Sequence, residues 1–248
     1  MIAGSEVIDF HGHPGRWGVA ETSPDMLFPA LDAAGIDRSV LFDIWHPEGR
    51  RSNDLTAGLV AEHPDRYIGF AYVSPLMPET MIPELERAVD QLGLSAIKLY
   101  PPFVCVPLSD PIWWPIYEFA NDRELVVIWH TGIEPGAEPK HIGAVAPRYP
   151  KVNFVAGHSG NCPPARRDAI DAAKDHPNVY LETCSTFRTP GVIEQLVEEA
   201  GADRVLFGSD IPLMDPRAQL GKIITADISD EDKKLVLGGN ARRLLKLV

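Results

Sequence analysis

Three cysteines in 248 residues, Cys105, Cys162 and Cys184, are too few and too scattered for a disulfide framework, and no CxxC pair offers a structural zinc site. Positive charge is also scarce. Lys and Arg number 23 against 35 Asp and Glu, a formal net charge of −12, which argues against a nucleic-acid backbone or an anionic membrane surface as the main partner. Uninterrupted apolar runs such as Leu125 to Trp129 fall far short of the ~20 residues that span a bilayer. The N-terminus has no basic segment followed by a long apolar one, and a strand-like run begins by Val7, so nothing to cleave and a reduced, cytoplasmic setting are expected. No low-complexity tract or linker divides the chain. With 45% apolar and 23% charged residues it has ordinary globular composition, which excludes a disordered chain and predicts one domain over residues 1–248.

What is present is a repeat. Short β-branched or aromatic runs at 7–10, 39–44, 67–73, 96–100, 125–130, 152–158, 179–183 and 204–210 read as strands. Between them, stretches of helical period lie at 24–34, 53–63, 79–92, 111–122, 138–148, 163–175, 190–200 and 216–225. Ser23-Pro24, Asp110-Pro111 and Asp215-Pro216 mark helix starts, and Gly35, Gly93 and Gly201 mark stops. Eight strands each followed by a helix in ~250 residues predict the α/β class and a (β/α)8, or TIM, barrel. A doubly wound open sheet fits less well, because no GxGxxG follows the first strand. The last segment, 229–237 and then 240–248, is expected to pack across the outside, with Ser229 as an N-cap.

Chemistry gathers at the strand ends. The first strand runs into Asp9-Phe10-His11-Gly12-His13, and residues two apart on a strand share a face, so His11 and His13 can point into the barrel mouth together. The fifth strand ends in His130, the sixth in His158 and the eighth in Asp210. This is the rim on which barrel enzymes build their sites, and imidazoles with a carboxylate suit a zinc-like ion that keeps a position open for water. His63 and His176 precede prolines at helix ends and belong to the opposite face. His46, after the second strand, is on the productive rim, and His141 is expected in solvent.

The order HxH, His, His, Asp resembles that of the amidohydrolase superfamily, and more narrowly its amidohydrolase-related branch, which includes aminocarboxymuconate-semialdehyde decarboxylase and pyrone-dicarboxylate lactonase. The strings Ala96-Ile97-Lys98-Leu99-Tyr100-Pro101, Arg204-Val205-Leu206-Phe207-Gly208-Ser209-Asp210 and Gly239-Asn240-Ala241-Arg242-Arg243 carry the likeness, which runs nearly end to end. The resemblance implies that His11, His13, His130 and Asp210 hold one divalent ion, zinc first with manganese or iron as alternatives. His158 then stands beside the metal-bound water for proton transfer. A second arrangement, two ions bridged by a carboxylated Lys98, exists in the superfamily. The single-metal branch favours an unmodified Lys98 that binds a substrate oxygen or carboxylate.

The leading expectation is hydrolysis of a small carbonyl substrate, a lactone, ester or amide, by metal-activated water, with Asp210 relaying the proton and His158 assisting. The alternative is non-oxidative decarboxylation of an aromatic or unsaturated acid. Such a substrate needs cations, and Lys98, Tyr100, His46 and Arg188 are the candidate substrate contacts, with Arg50, Arg51 and Arg217 on the same rim. Trp45, Trp129 and Tyr100 are candidates to wall an aromatic pocket. A non-catalytic barrel that keeps the metal for structure is the third reading. A homodimer is implied by the resemblance alone.

Overall fold

The computed structural model describes residues 5–14, 24–185 and 190–247. Eight strands pair in parallel and in chain order: β1 (Ile8–Gly12), β2 (Arg38–Leu41), β3 (Tyr67–Tyr72), β4 (Ala96–Leu99), β5 (Val126–His130), β6 (Asn153–Gly157), β7 (Val179–Glu182) and β8 (Val205–Leu206). Closure comes from backbone hydrogen bonds between β1 and the segment after β8: Phe10 N–H to Phe207 O at 2.9 Å, Asp210 N–H to His11 O at 2.8 Å and His13 N–H to Ile211 O at 2.7 Å. The expected TIM barrel is the observed one. Strand β8 is shorter than its apolar run because Phe207 leaves the ladder and donates its N–H to Val236 O.

Helices return the chain around the barrel: α1 (Leu27–Ala34), α2 (Arg50–Glu62), α3 (Pro78–Glu86), α4 (Trp114–Arg123), α5 (Lys140–Val145), α6 (Pro163–Asp175), α7 (Val192–Ala200), α8 (Pro216–Thr225), α9 (Asp230–Lys234) and α10 (Asn240–Leu244). Of the start signals, Ser23 lies outside the described residues, and the others work as capping chemistry requires. Asp110, Asp215 and Ser229 side chains accept the N–H of Ile112, Arg217 and Asp232, satisfying donors that a helix end leaves free. Helix α1 ends at Gly35 in a left-handed conformation (φ 75°), as its stop signal predicts. Among the described residues no helix is long and apolar enough to cross a membrane.

Strand alternation sorts the core into two shells. Ile8, Val40, Phe70, Ala96, Ile128 and Leu206 fill the inside of the barrel, while Leu41, Ala71, Ile97, Val127 and Phe154 pack outward on the helices. The C-terminal segment corrects an expectation. Val236 and Leu237 of its first part do pack in the outer shell, but the second part does not lie across the outside, because Ala241 and Leu244 join the inner shell. Asn240 donates to Ala202 O and Val205 O, Gly238 sits against Glu6, and Arg242 pairs with Glu6, so α10 plugs the base where the strands begin. With the base closed in this way, the cavity lies at the other end of the barrel.

Candidate active site

Inward-facing positions deliver the functional groups. Along β5 the alternation Val126, Ile128, His130 brings the histidine to the mouth, and Ala96, Lys98, Tyr100 does the same on β4. On β1 simple alternation fails. Phe10 already faces inward, and a shift of register between Asp9 and Gly12 turns His11 inward as well. His158 and Asp210 follow their strands in left-handed conformations (φ 67° and 63°), sparsely populated backbone of the kind found at functional sites. These residues line one cavity of about 190 Å³ with Asn161, Ser185, Leu213 and Met214.

His11, His13 and Asp210 form one metal-competent group, with His13 Nε2 3.3 Å and His11 Nε2 3.7 Å from Asp210 Oδ1, and His11 also belongs to a second, with His158, Glu182 and Cys184. The opposite ring nitrogens define which lone pairs are free. His13 Nδ1 is 3.1 Å from the Phe42 carbonyl, and His11 Nδ1 is 3.0 Å from Glu182 Oε2, both groups that can only accept. Each Nδ1 therefore carries a proton, and each Nε2 is turned toward the Asp210 carboxylate. The gap between them takes a proton or a metal ion, and an outer carboxylate and carbonyl behind ligating imidazoles are what metal sites use to set the tautomer. The donor set fits a divalent ion.

Electrostatics agree. Burial, then the nearby Lys98 ammonium, hold His11 well below the ordinary imidazole range, which keeps it neutral. Burial alone would raise Asp210, but the His13 contact and the neighbouring imidazoles outweigh it, and its carboxyl lies well below the usual range. Ser185 Oγ donates to Asp210 Oδ2 at 2.9 Å. Lys98 is fully buried, 3.2 Å from His11 Nε2 and over the Phe42 ring, and burial lowers its ammonium to about 8 against the pull of Asp210.

His130 and His158 stand side by side at the same cavity, Nδ1 to Nε2 at 2.9 Å, and His130 Nε2 is 3.7 Å from Glu134. His130 is thus near the three-residue group but outside it. Tyr100 lines the wall, its ring 4.7 Å from that of His130. His46 is half-buried in the loop after β2 and does not reach the cavity wall. Arg188 lies outside the described residues. Arg50 reaches the buried Glu84, and Arg51 and Arg217 pair with Glu48 and Asp215 at the surface, so Lys98 is the cation lining the cavity among the described residues. Trp129 is no pocket wall: as the odd member of its strand it faces outward and packs on Tyr117 and Phe154. His141 is not in open solvent either, because Ser109 Oγ and Glu138 hold its two ring nitrogens at 3.0 Å and 3.5 Å.

Sequence reasoning missed three buried residues. Asp9, beside the HxH, accepts from the His11 and Ser209 backbone and from the Ser39 and Ser209 hydroxyls, tying β1 to the segment that carries Asp210. Glu182 and Cys184 continue the inward face of β7, and a polar residue closing an apolar strand was the available signal. Gly208 leaves room for that carboxylate: a Cβ there would lie 2.0 Å from Glu182 Oε1 and 3.0 Å from the His11 Cβ. Gly208→Ala is expected to cost about 3 kcal/mol by overpacking a site that cannot yield. At ~2–4 °C per kcal/mol for a chain of this size, thermal melting should fall by roughly 10 °C.

The family model described as Amidohydrolase matches residues 8–247. The chain is 27% identical over 257 residues to a gamma-resorcylate decarboxylase of Polaromonas sp. (strain JS666), covering 80% of this chain and 76% of that one. It is 25% identical over 277 residues to the 2-amino-3-carboxymuconate-6-semialdehyde decarboxylase of Dictyostelium discoideum, covering 90% and 77%. Among solved structures, a dihydroxybenzoic acid decarboxylase from Polaromonas sp. JS666, with bound manganese and the inhibitor 2-nitroresorcinol, superposes with a TM-score of 0.79 at 22% identity, covering 98% of this chain and 97% of that one. The eight-strand closure and the residues converging at its mouth agree with that match: the chain belongs to the amidohydrolase family, in its amidohydrolase-related branch.

Proposed function

We propose that this protein is a metal-dependent, non-oxidative carboxy-lyase that releases CO2 from an aromatic or unsaturated carboxylic acid. The supporting observation is a fully buried lysine beside a metal-competent cluster, in a chain whose decarboxylase relatives align over four fifths of its length or more. A substrate carboxylate entering this cavity meets Lys98 as its cationic partner, and a charge-assisted hydrogen bond in such a dry site is strong. The hydrolytic reading draws less support, since these relatives are decarboxylases.

His11, His13 and Asp210 are the residues that would hold the ion, with His130 as the further ligand that the family implies. When bound, a divalent ion supplies charge that fixes the carboxylate and offsets the negative charge growing on the carbon skeleton. Lys98 orients the carboxylate. Tyr100 presents a ring face to a planar substrate, with Phe103 continuing the wall toward the mouth, ring centroids 4.5 Å apart. Asp210, ionised at rest, takes a proton from the incoming substrate and delivers it to the carbon that bears the carboxylate. The C–C bond then breaks, its electron pair stays with the skeleton, and CO2 leaves.

The test is CO2 release from a panel of hydroxybenzoic and unsaturated dicarboxylic acids by manganese- or zinc-loaded protein, run beside lactone hydrolysis. CO2 release is expected to disappear on chelation and return on metal re-addition. Lactone opening without CO2 from any acid of the panel would restore the hydrolytic reading.

A further inference from the structure

Behind the cavity wall, hydrogen-bond geometry dictates where each proton lies. Glu182 is fully buried, and its Oε1 accepts the Cys184 N–H at 2.5 Å while its Oε2 accepts the His158 N–H at 3.0 Å. Cys184 Sγ lies 3.0 Å from the same Oε2 and 2.9 Å from His158 Nδ1. His158 Nε2 in turn lies 2.9 Å from His130 Nδ1. A carboxylate only accepts, so the thiol proton sits between sulfur and Glu182. The sulfur has no second proton, and the hydrogen in its contact with His158 must come from Nδ1. A neutral imidazole has one N–H, so His158 Nε2 bears a lone pair, and the next proton belongs to His130 Nδ1. That leaves His130 Nε2 unprotonated. Its separation of 3.7 Å from Glu134 Oε2 is too long for a hydrogen bond that would say otherwise.

We propose that Glu182, acting through Cys184 and His158, is a positioning residue that holds His130 in the Nδ1–H form, so that its Nε2 lone pair faces outward as a metal ligand. Its direct contact with His11 Nδ1 does the same for that ring, so one carboxylate sets the tautomers of two ligands on opposite sides of the barrel. Cys184 thereby becomes a proton-ordering element with no reactive role, and His158 acts on its neighbour in place of the substrate. The inference rests on the reading that an ion binds at this cavity.

Nitrogen-15 spectra of metal-free protein labelled at histidine read the tautomers directly. His130 and His158 are both expected protonated on Nδ1. Cys184→Ala should release them toward the Nε2–H form that free histidine favours and weaken manganese or zinc binding about 10- to 100-fold, the usual effect of losing an outer partner of a ligand. Cys184→Ser, which keeps one donor and one acceptor, should preserve both properties. Wild-type His130 protonated on Nε2 overturns the relay even if the alanine variant does not fold. So does unchanged tautomer and affinity in that variant, or a sulfur-to-metal absorption band in cobalt-loaded wild type, which would make Cys184 a ligand. The spectrum decides the relay whichever acid the enzyme acts on.

Discussion

Asp210→Asn is expected to lower CO2 release at least ~1000-fold and to leave the purified protein without stoichiometric metal. The two losses share one cause. Asp210 Oδ1 is the group on which the His13 and His11 Nε2 atoms converge, at 3.3 Å and 3.7 Å, and an amide there brings no negative charge to balance a divalent ion. The same side chain is the acid that protonates carbon, and an amide cannot exchange that proton. The fold should survive, because Asn retains an oxygen for the Ser185 hydroxyl, 2.9 Å away, and the Asp210 N–H still bonds His11 O. Elemental analysis, circular dichroism and CO2 evolution on one preparation separate these effects. Full metal content with full activity would remove Asp210 from the site.

Lys98→Met is expected to raise KM for the acid about 100-fold while changing kcat far less, the loss of one charge-assisted hydrogen bond of ~2–3 kcal/mol at ~1.4 kcal/mol per tenfold. Melting temperature should hold or rise, since a buried ammonium is removed in favour of an apolar chain of similar length. A pH dependence accompanies it. Burial, the largest influence, lowers the Lys98 ammonium to about 8, so it is charged below that pH and neutral above it. Wild-type KM should therefore climb above pH 8, approaching tenfold per unit, and the methionine variant should lack that climb. A KM unchanged by the substitution would assign carboxylate recognition elsewhere.

Much of this site is legible in the sequence because β/α barrels translate strand order into rim position. An apolar run that closes on His or Asp puts that side chain at the mouth, and His11, His13, Lys98, Tyr100, His130, His158 and Asp210 all line the cavity. What the pattern lacks is partnership. The period-two rule does not foresee the β1 bulge that turns both Phe10 and His11 inward. Glu182 and Cys184 obey the same strand-end rule as the residues that were found, yet their role is set by contacts to β1 and β6, far away in the chain. The loop arginines failed differently. Their neighbours in sequence include the acids Glu48 and Asp215 that pair with them, which keeps Arg51 and Arg217 at the surface. The C-terminal amphipathic segment was read as an outer cover because periodicity reports an apolar face without saying which opening it fills.

The most direct test is a crystal of manganese-soaked protein measured at the manganese absorption edge. The account predicts one anomalous peak within about 2.0–2.3 Å of His11 Nε2, His13 Nε2 and an Asp210 oxygen. A peak on the Cys184 side of His11, or none near Asp210 at full occupancy elsewhere, would contradict it.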